Sequence, residues 1–156
     1  MNAEPRQEAY GLPAPENKKF LNVCVGHQTF GIPIPIIQDV LQDLKITPVP
    51  LTPPYVFGLL NLRGRIVAAI DVRTSLGLPR LQDHTNRKVM NIIVEHRGEL
   101  FSLLVDTIGE ITDIPPDQIE RNPDNLSERW KAVSLGIYKL KDKLIIITNI
   151  QKLIGL

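Results

Sequence analysis

The sequence predicts an all-β protein assembled from one small unit used twice, and three observations lead there. Short apolar runs rich in valine and isoleucine follow one another from Phe20 onward, separated by turn residues. Helical periodicity is weak apart from three brief stretches, at 71–76, 125–131 and 149–154. Finally, residues 58–78 (GLLNLRGRIVAAIDVRTSLGL) lie over residues 136–156 (GIYKLKDKLIIITNIQKLIGL) without a gap, which marks a supersecondary unit used twice.

Residues 1–19 are polar, with three prolines, three glutamates and three bases, and read as a flexible tail. FLNVCV (20–25) is the first strand and TFGIPIPII (29–37) the second. Pro33 and Pro35 are two apart, so the amides they lack fall on one side of a strand, which predicts an edge or rim strand over 30–40. Asn61-Leu62-Arg63-Gly64 reads as a turn, with Gly64 supplying a permissive backbone before the strand GRIVAAIDV (64–72). VMNIIVEH (89–96), ELFSLLVD (99–106) and KLIIITNI (143–150) complete the set. In the aligned repeat, Gly58/Gly136, Leu62/Leu140, Gly77/Gly155 and Leu78/Leu156 are identical, and Arg63/Lys141 and Asp71/Asn149 are conservative pairs. Upstream, LNVCVGH matches MNIIVEH and FGIPIPIIQDV matches FSLLVDTIGEI more loosely. Two small barrels are expected, over 20–80 and 88–156, packed as one globule with a groove between like halves.

Composition narrows the function. A chain of 156 residues with 43% hydrophobic and 22% charged residues is ordinary for one globular domain. Its net charge of +1 carries no concentrated basic footprint, which places a small-barrel nucleic-acid module behind a protein-binding one. A lone cysteine, Cys24, gives neither a disulfide framework nor a multi-thiolate metal site. The start has no apolar signal region, and no apolar run approaches the ~20 residues of a membrane span. A cytoplasmic chain without direct membrane insertion is expected.

Catalysis finds little support. His27, His84 and His96 have no metal-ligand spacing, Cys24 lies in an apolar strand, and the acids Asp71, Asp106, Glu110 and Asp113 are scattered. No phosphate-binding glycine loop is present and no cofactor or metal is expected. A non-catalytic binding module remains. Its candidate residues centre on the turn, with Arg63 projecting from the hairpin end, and on Asp71 and Arg73, which a period of two places on one strand face.

These residues carry a resemblance. GLLNLRGRIVAAIDVRTSLGL resembles the signature of the CheW-like domain, in which a glycine, Asn-Leu-Arg-Gly, an apolar strand and Asp-Leu-Arg lead to a short helix. FGIPIPIIQDV, LFSLLVDTIGEITDIPPDQIERNP and KLIIITNIQKLIGL resemble further blocks of the family in the same order, so the likeness spans about 20–156. The resemblance implies two SH3-like five-stranded β-barrels. It further implies a signalling adaptor that couples chemoreceptors to a chemotaxis histidine kinase (CheA), in swimming chemotaxis or in a sister pathway for pili, gliding or development. The implied partners are the kinase, through its own CheW-like regulatory domain, and the cytoplasmic tips of methyl-accepting chemoreceptors. That job would associate a cytoplasmic chain with membrane-bound receptor arrays. Ile37, Gln38 and Asp39 align with the family's kinase-docking edge, and Asn61, Arg63 and Gly64 with its Asn-Leu-Arg-Gly turn, with Asp71 and Arg73 following. An Asp39–Arg63 interaction at the rim of the first barrel is the expected centre of the site. Asp39 replaces the family's usual glutamate, one methylene longer. Trp130 is expected in the core rather than as a groove anchor.

Overall fold

The computed structural model describes residues 17–79 and 89–155. Among them, ten strands form two five-stranded sheets. In chain order the elements are β1 (Lys18–Val25), β2 (Gln28–Pro33), β3 (Ile37–Gln42), β4 (Val56–Leu62), β5 (Arg65–Asp71), α1 (Val72–Ser75), β6 (Met90–His96), β7 (Glu99–Val105), β8 (Thr107–Ile114), α2 (Glu128–Val133), β9 (Ser134–Leu140), β10 (Lys143–Thr148) and α3 (Ile150–Leu153). No helix among the described residues is long and apolar enough to cross a membrane. The expected flexible tail lies outside the described residues as far as residue 16, while Lys18 and Lys19 open β1.

The repeat is visible in the sheets. One has the order β3-β6-β7-β5-β4 and the other β8-β1-β2-β10-β9, and exchanging β1–β5 with β6–β10 turns one order into the other. Each sheet curls until the chain beyond one outer strand bridges to the other outer strand. Thr47, after β3, exchanges two 2.8 Å backbone hydrogen bonds with Leu59 of β4. Glu120, after β8, makes the equivalent seam with Ile137 of β9, at 2.8 and 2.9 Å. One identical pair of glycines in the repeat, Gly58 and Gly136, sits at these seams. A Cβ on Gly58 would lie 2.4 Å from the Thr47 carbonyl oxygen, and one on Gly136 would lie 2.7 Å from that of Glu120, so backbone approach demands glycine at both.

The barrels do not divide the chain at 80–88. One is contiguous, β3 to β7, and the other is split between β1–β2 and β8–β10. The parallel pairs β2–β10 and β5–β7 join strands of different repeats. Proline supplies the reason at the first crossing. Rather than one rim strand over 30–40, Pro33 ends β2 and Pro35 sits in a 3-10 turn over Ile34–Ile36 that carries the chain into the other barrel. β2 is therefore a central strand and β3 an edge. The return crossing is the single residue Asp106 between β7 and β8.

Burial on both strand faces explains the unbroken apolar runs. Ile146, Phe30, Ile92 and Leu103 belong to a large cluster shared by the two barrels. Their neighbours Ile145 and Ile147 fill the split barrel, and Leu104 the contiguous one. Trp130 of α2 is buried, with its ring 5.7 Å from that of Phe30. α2 begins three residues later than the sequence pattern indicated, where the Ser127 hydroxyl accepts from the Trp130 amide.

Candidate functional site

At one end of the contiguous barrel, β4 and β5 turn through Arg63 and Gly64. Leu62 pairs with Arg65, and both central residues have positive φ, 53° and 83°, the backbone of a two-residue type I′ hairpin. Gly64 adopts it freely, whereas Arg63 does so at some cost. The Asn61 side-chain oxygen accepts from the Gly64 amide at 3.0 Å and holds the turn. Arg65 donates to the Gly98 carbonyl at 3.1 Å, tying this hairpin to the β6–β7 turn.

Asp39 approaches from β3, the opposite edge of the sheet. A register shift between Ile37 and Asp39 makes Gln38 the extra residue of a β-bulge, a device that re-aims side chains at barrel rims. The Asp39 carboxylate accepts from its neighbour Val40's amide at 2.9 Å and from Arg63 Nη2 at 2.9 Å. These hydrogen bonds, that from Arg63 foremost, hold its pKa below the usual carboxylate range. Arg63 keeps 73% of its side chain exposed and Asp39 28%, so the pair is a surface feature with fixed geometry. Gln38 is exposed, while Ile37 is half-buried and packs on the shared core.

Sequence reasoning missed two apolar residues at this rim. Val40, next to Asp39, is 39% exposed, and Ile66, one pairing step from the hairpin end, is 64% exposed. Burial alternates along β3, exposing Val40, but IQDVLQ does not show this, since Val40 and Leu41 are both apolar.

Asp71 and Arg73 lie elsewhere. The strand ends at Asp71 and α1 begins at Val72, so the two do not share a strand face. Asp71 is fully buried and caps α1, accepting from the Arg73 amide at 3.0 Å and the Thr74 hydroxyl at 2.9 Å. Its repeat counterpart Asn149 caps α3. Arg73 forms a two-point ion pair with Asp106, with Nε at 3.1 Å from Oδ1 and Nη2 on Oδ2. Asp106 also accepts from the Gly26 amide at 2.8 Å. This knot braces the return crossing from within and leaves neither Asp71 nor Arg73 free to meet a partner.

Two curled sheets are thus fused through a shared core, with an ordered polar pair and exposed apolar residues at one rim. Residues 19–156 match the CheW-like domain family model, and the chain belongs to that family. It is 28% identical to the chemotaxis protein CheW of Helicobacter pylori, over 87% of this chain and 81% of that one. It is also 28% identical to the protein PilI of Pseudomonas aeruginosa, over 85% of this chain and 76% of that one. The crystal structure of the scaffolding protein TtCheW from Thermoanaerobacter tengcongensis superposes with a TM-score of 0.78 at 31% identity, covering 90% of this chain and 94% of that one.

Proposed function

We propose that this chain is a non-catalytic adaptor that couples a chemotaxis histidine kinase to chemoreceptors, and that the Asp39–Arg63 rim is where the kinase docks. The observation that carries this reading is the 2.9 Å bond spanning β3 and the β4–β5 turn. It fixes two opposite charges beside exposed Val40 and Ile66, an arrangement of apolar anchor and polar rim typical of protein interfaces. A kinase domain built of like barrels would present a matching barrel end. Receptor tips, as helical hairpins, would be recognised through apolar positions of the groove between the barrels. The adaptor would act by holding receptor and kinase together, so that the receptor's state biases the kinase. The similarity to PilI supports a second reading, in which the same scaffold serves a pilus-type pathway.

Co-elution with the source organism's chemotaxis histidine kinases on a sizing column tests the proposal. Wild type is expected to share a peak with one kinase, and Asp39→Lys and Arg63→Glu, both folded, to lose it. Normal binding by both variants would remove the rim as the docking edge. A wild-type chain that elutes alone with every such kinase, including those of pilus-type pathways, would overturn the coupling role itself.

A further inference from the structure

A cleft of about 710 Å³ opens in the split barrel, bounded by the β9–β10 turn and the start of β8. Small side chains make the room. Cys24 and Thr29 line the cleft, where the repeat gives the contiguous barrel Ile93 and Leu100. Ile93 is fully buried, and Leu100 packs on its barrel's core.

Asn22 lines the same cleft, two residues before Cys24 and so on the same face of β1. Its Nδ2 donates to the Thr112 hydroxyl at 2.8 Å. Its Oδ1 is buried and accepts from no group among the described residues. The repeat shows which donor the split barrel lacks. Asn91, the counterpart of Asn22, accepts at Oδ1 from the Ser102 hydroxyl at 3.0 Å. The residue aligned with Ser102 is Gly31, which has no hydroxyl to give. Strand pairing agrees, because Ser102 pairs with Ala69 and Gly31 with Ile147, the residue aligned with Ala69. A buried acceptor without a donor bears its full desolvation cost, which a donor delivered through the cleft would remove.

Glu110 and Asp142 line the cleft together with Lys141 and Lys143. Their formal charges cancel, so the cleft favours neither a cation nor an anion. Ile108 and Leu140 add apolar wall. We propose that this cleft binds a small neutral molecule carrying an N–H donor on an apolar body, with the donor set on Asn22 Oδ1.

Benzamide, an aromatic ring with an N–H donor, is the probe, and methyl benzoate, which has the ring without the donor, is its control. In the isotope-enriched full-length chain, benzamide is expected to shift the Cys24, Thr29 and Lys141 amides and the Asn22 side-chain amide saturably. The expected range is about 1–10 mM, with methyl benzoate about tenfold weaker or more. Cys24→Ile with Thr29→Leu gives this cleft the side chains of the other barrel, and is expected to abolish the shifts while the Asp39 and Arg63 resonances stay in place. No saturable shift with benzamide would overturn the site, as would an equal response to both probes or shifts that survive the filled variant. Should that variant fail to fold, the two probes decide the matter on the wild-type chain. Water detected at Asn22 by nuclear Overhauser effects under saturating benzamide would assign the acceptor to solvent and overturn the recognition.

Discussion

The two barrels have the same strand order and the same glycine seam, yet their rims differ. In the contiguous barrel, Asp39 and Arg63 close the end with a 2.9 Å bond. Their repeat counterparts in the split barrel are Glu110 and Lys141, and Lys141 even shares the positive φ of Arg63, 56° against 53°. Those two side chains are not ion-paired with each other. Instead both line a cleft of about 710 Å³. Cys24 and Thr29 line it as well, where the contiguous barrel has the bulkier Ile93 and Leu100. Repetition has therefore preserved backbone geometry at both ends while side-chain furnishing has diverged. Backbone closure sets the fold, and rim chemistry sets what each end can meet.

The largest expected effects fall where the barrels are alike. Gly58→Ala and Gly136→Ala each force a methyl against a carbonyl at the seam, and each should cost about 3 kcal/mol or more in urea unfolding. A mild effect at one seam alone would show that the two closures are not equivalent. Next come the crossings, one made by prolines and the other by Asp106. Asp106→Ala strands Arg73, whose side chain is 14% exposed. The expected loss is about 2 kcal/mol, short of a fully buried pair because Asp106 is itself a quarter exposed.

Smaller in stability, but decisive for the comparison, is a matched pair of reversals. Arg63→Glu should abolish kinase co-elution on the reading proposed above, whereas Lys141→Glu should reduce it far less. Equal losses would make the rims functionally alike despite their different furnishing. The smallest effect is the titration of Asp39. Its folded pKa lies below its unfolded value, so the rim bond contributes above about pH 4 and is lost as pH falls through the folded pKa. NMR titration should place the Asp39 midpoint below about 3.9 in wild type, and Arg63→Ala should move it up towards that value.

Much of this was legible in the sequence. The strands announced themselves as β-branched runs, and the gapless repeat gave two like units. The Asp39–Arg63 contact followed from the turn and the family resemblance. Partner choice was hidden, because periodicity says that β2 is a strand but not whether it pairs with β5 or β10. Spacing alone makes Pro33 and Pro35 look like marks of an edge, whereas their missing amides and fixed φ end one strand and redirect the chain. Asp71 and Arg73 were misplaced because a period of two was carried past the last residue of β5. A buried carboxylate that caps a helix looks, in sequence, like a surface charge.

The split of one barrel across the chain bears on how the protein is made. The contiguous barrel can assemble as soon as β7 has left the ribosome. The β1–β2 hairpin, emerging first, must wait roughly 110 residues for β10, its parallel partner. At about 5–20 residues per second, that leaves Phe30 and Ile32 without their final neighbours for roughly 5–20 s. The nascent chain thus exposes an unpaired edge of β2 until β10 is made, and slower translation through β8–β10 is expected to lower the yield of soluble protein.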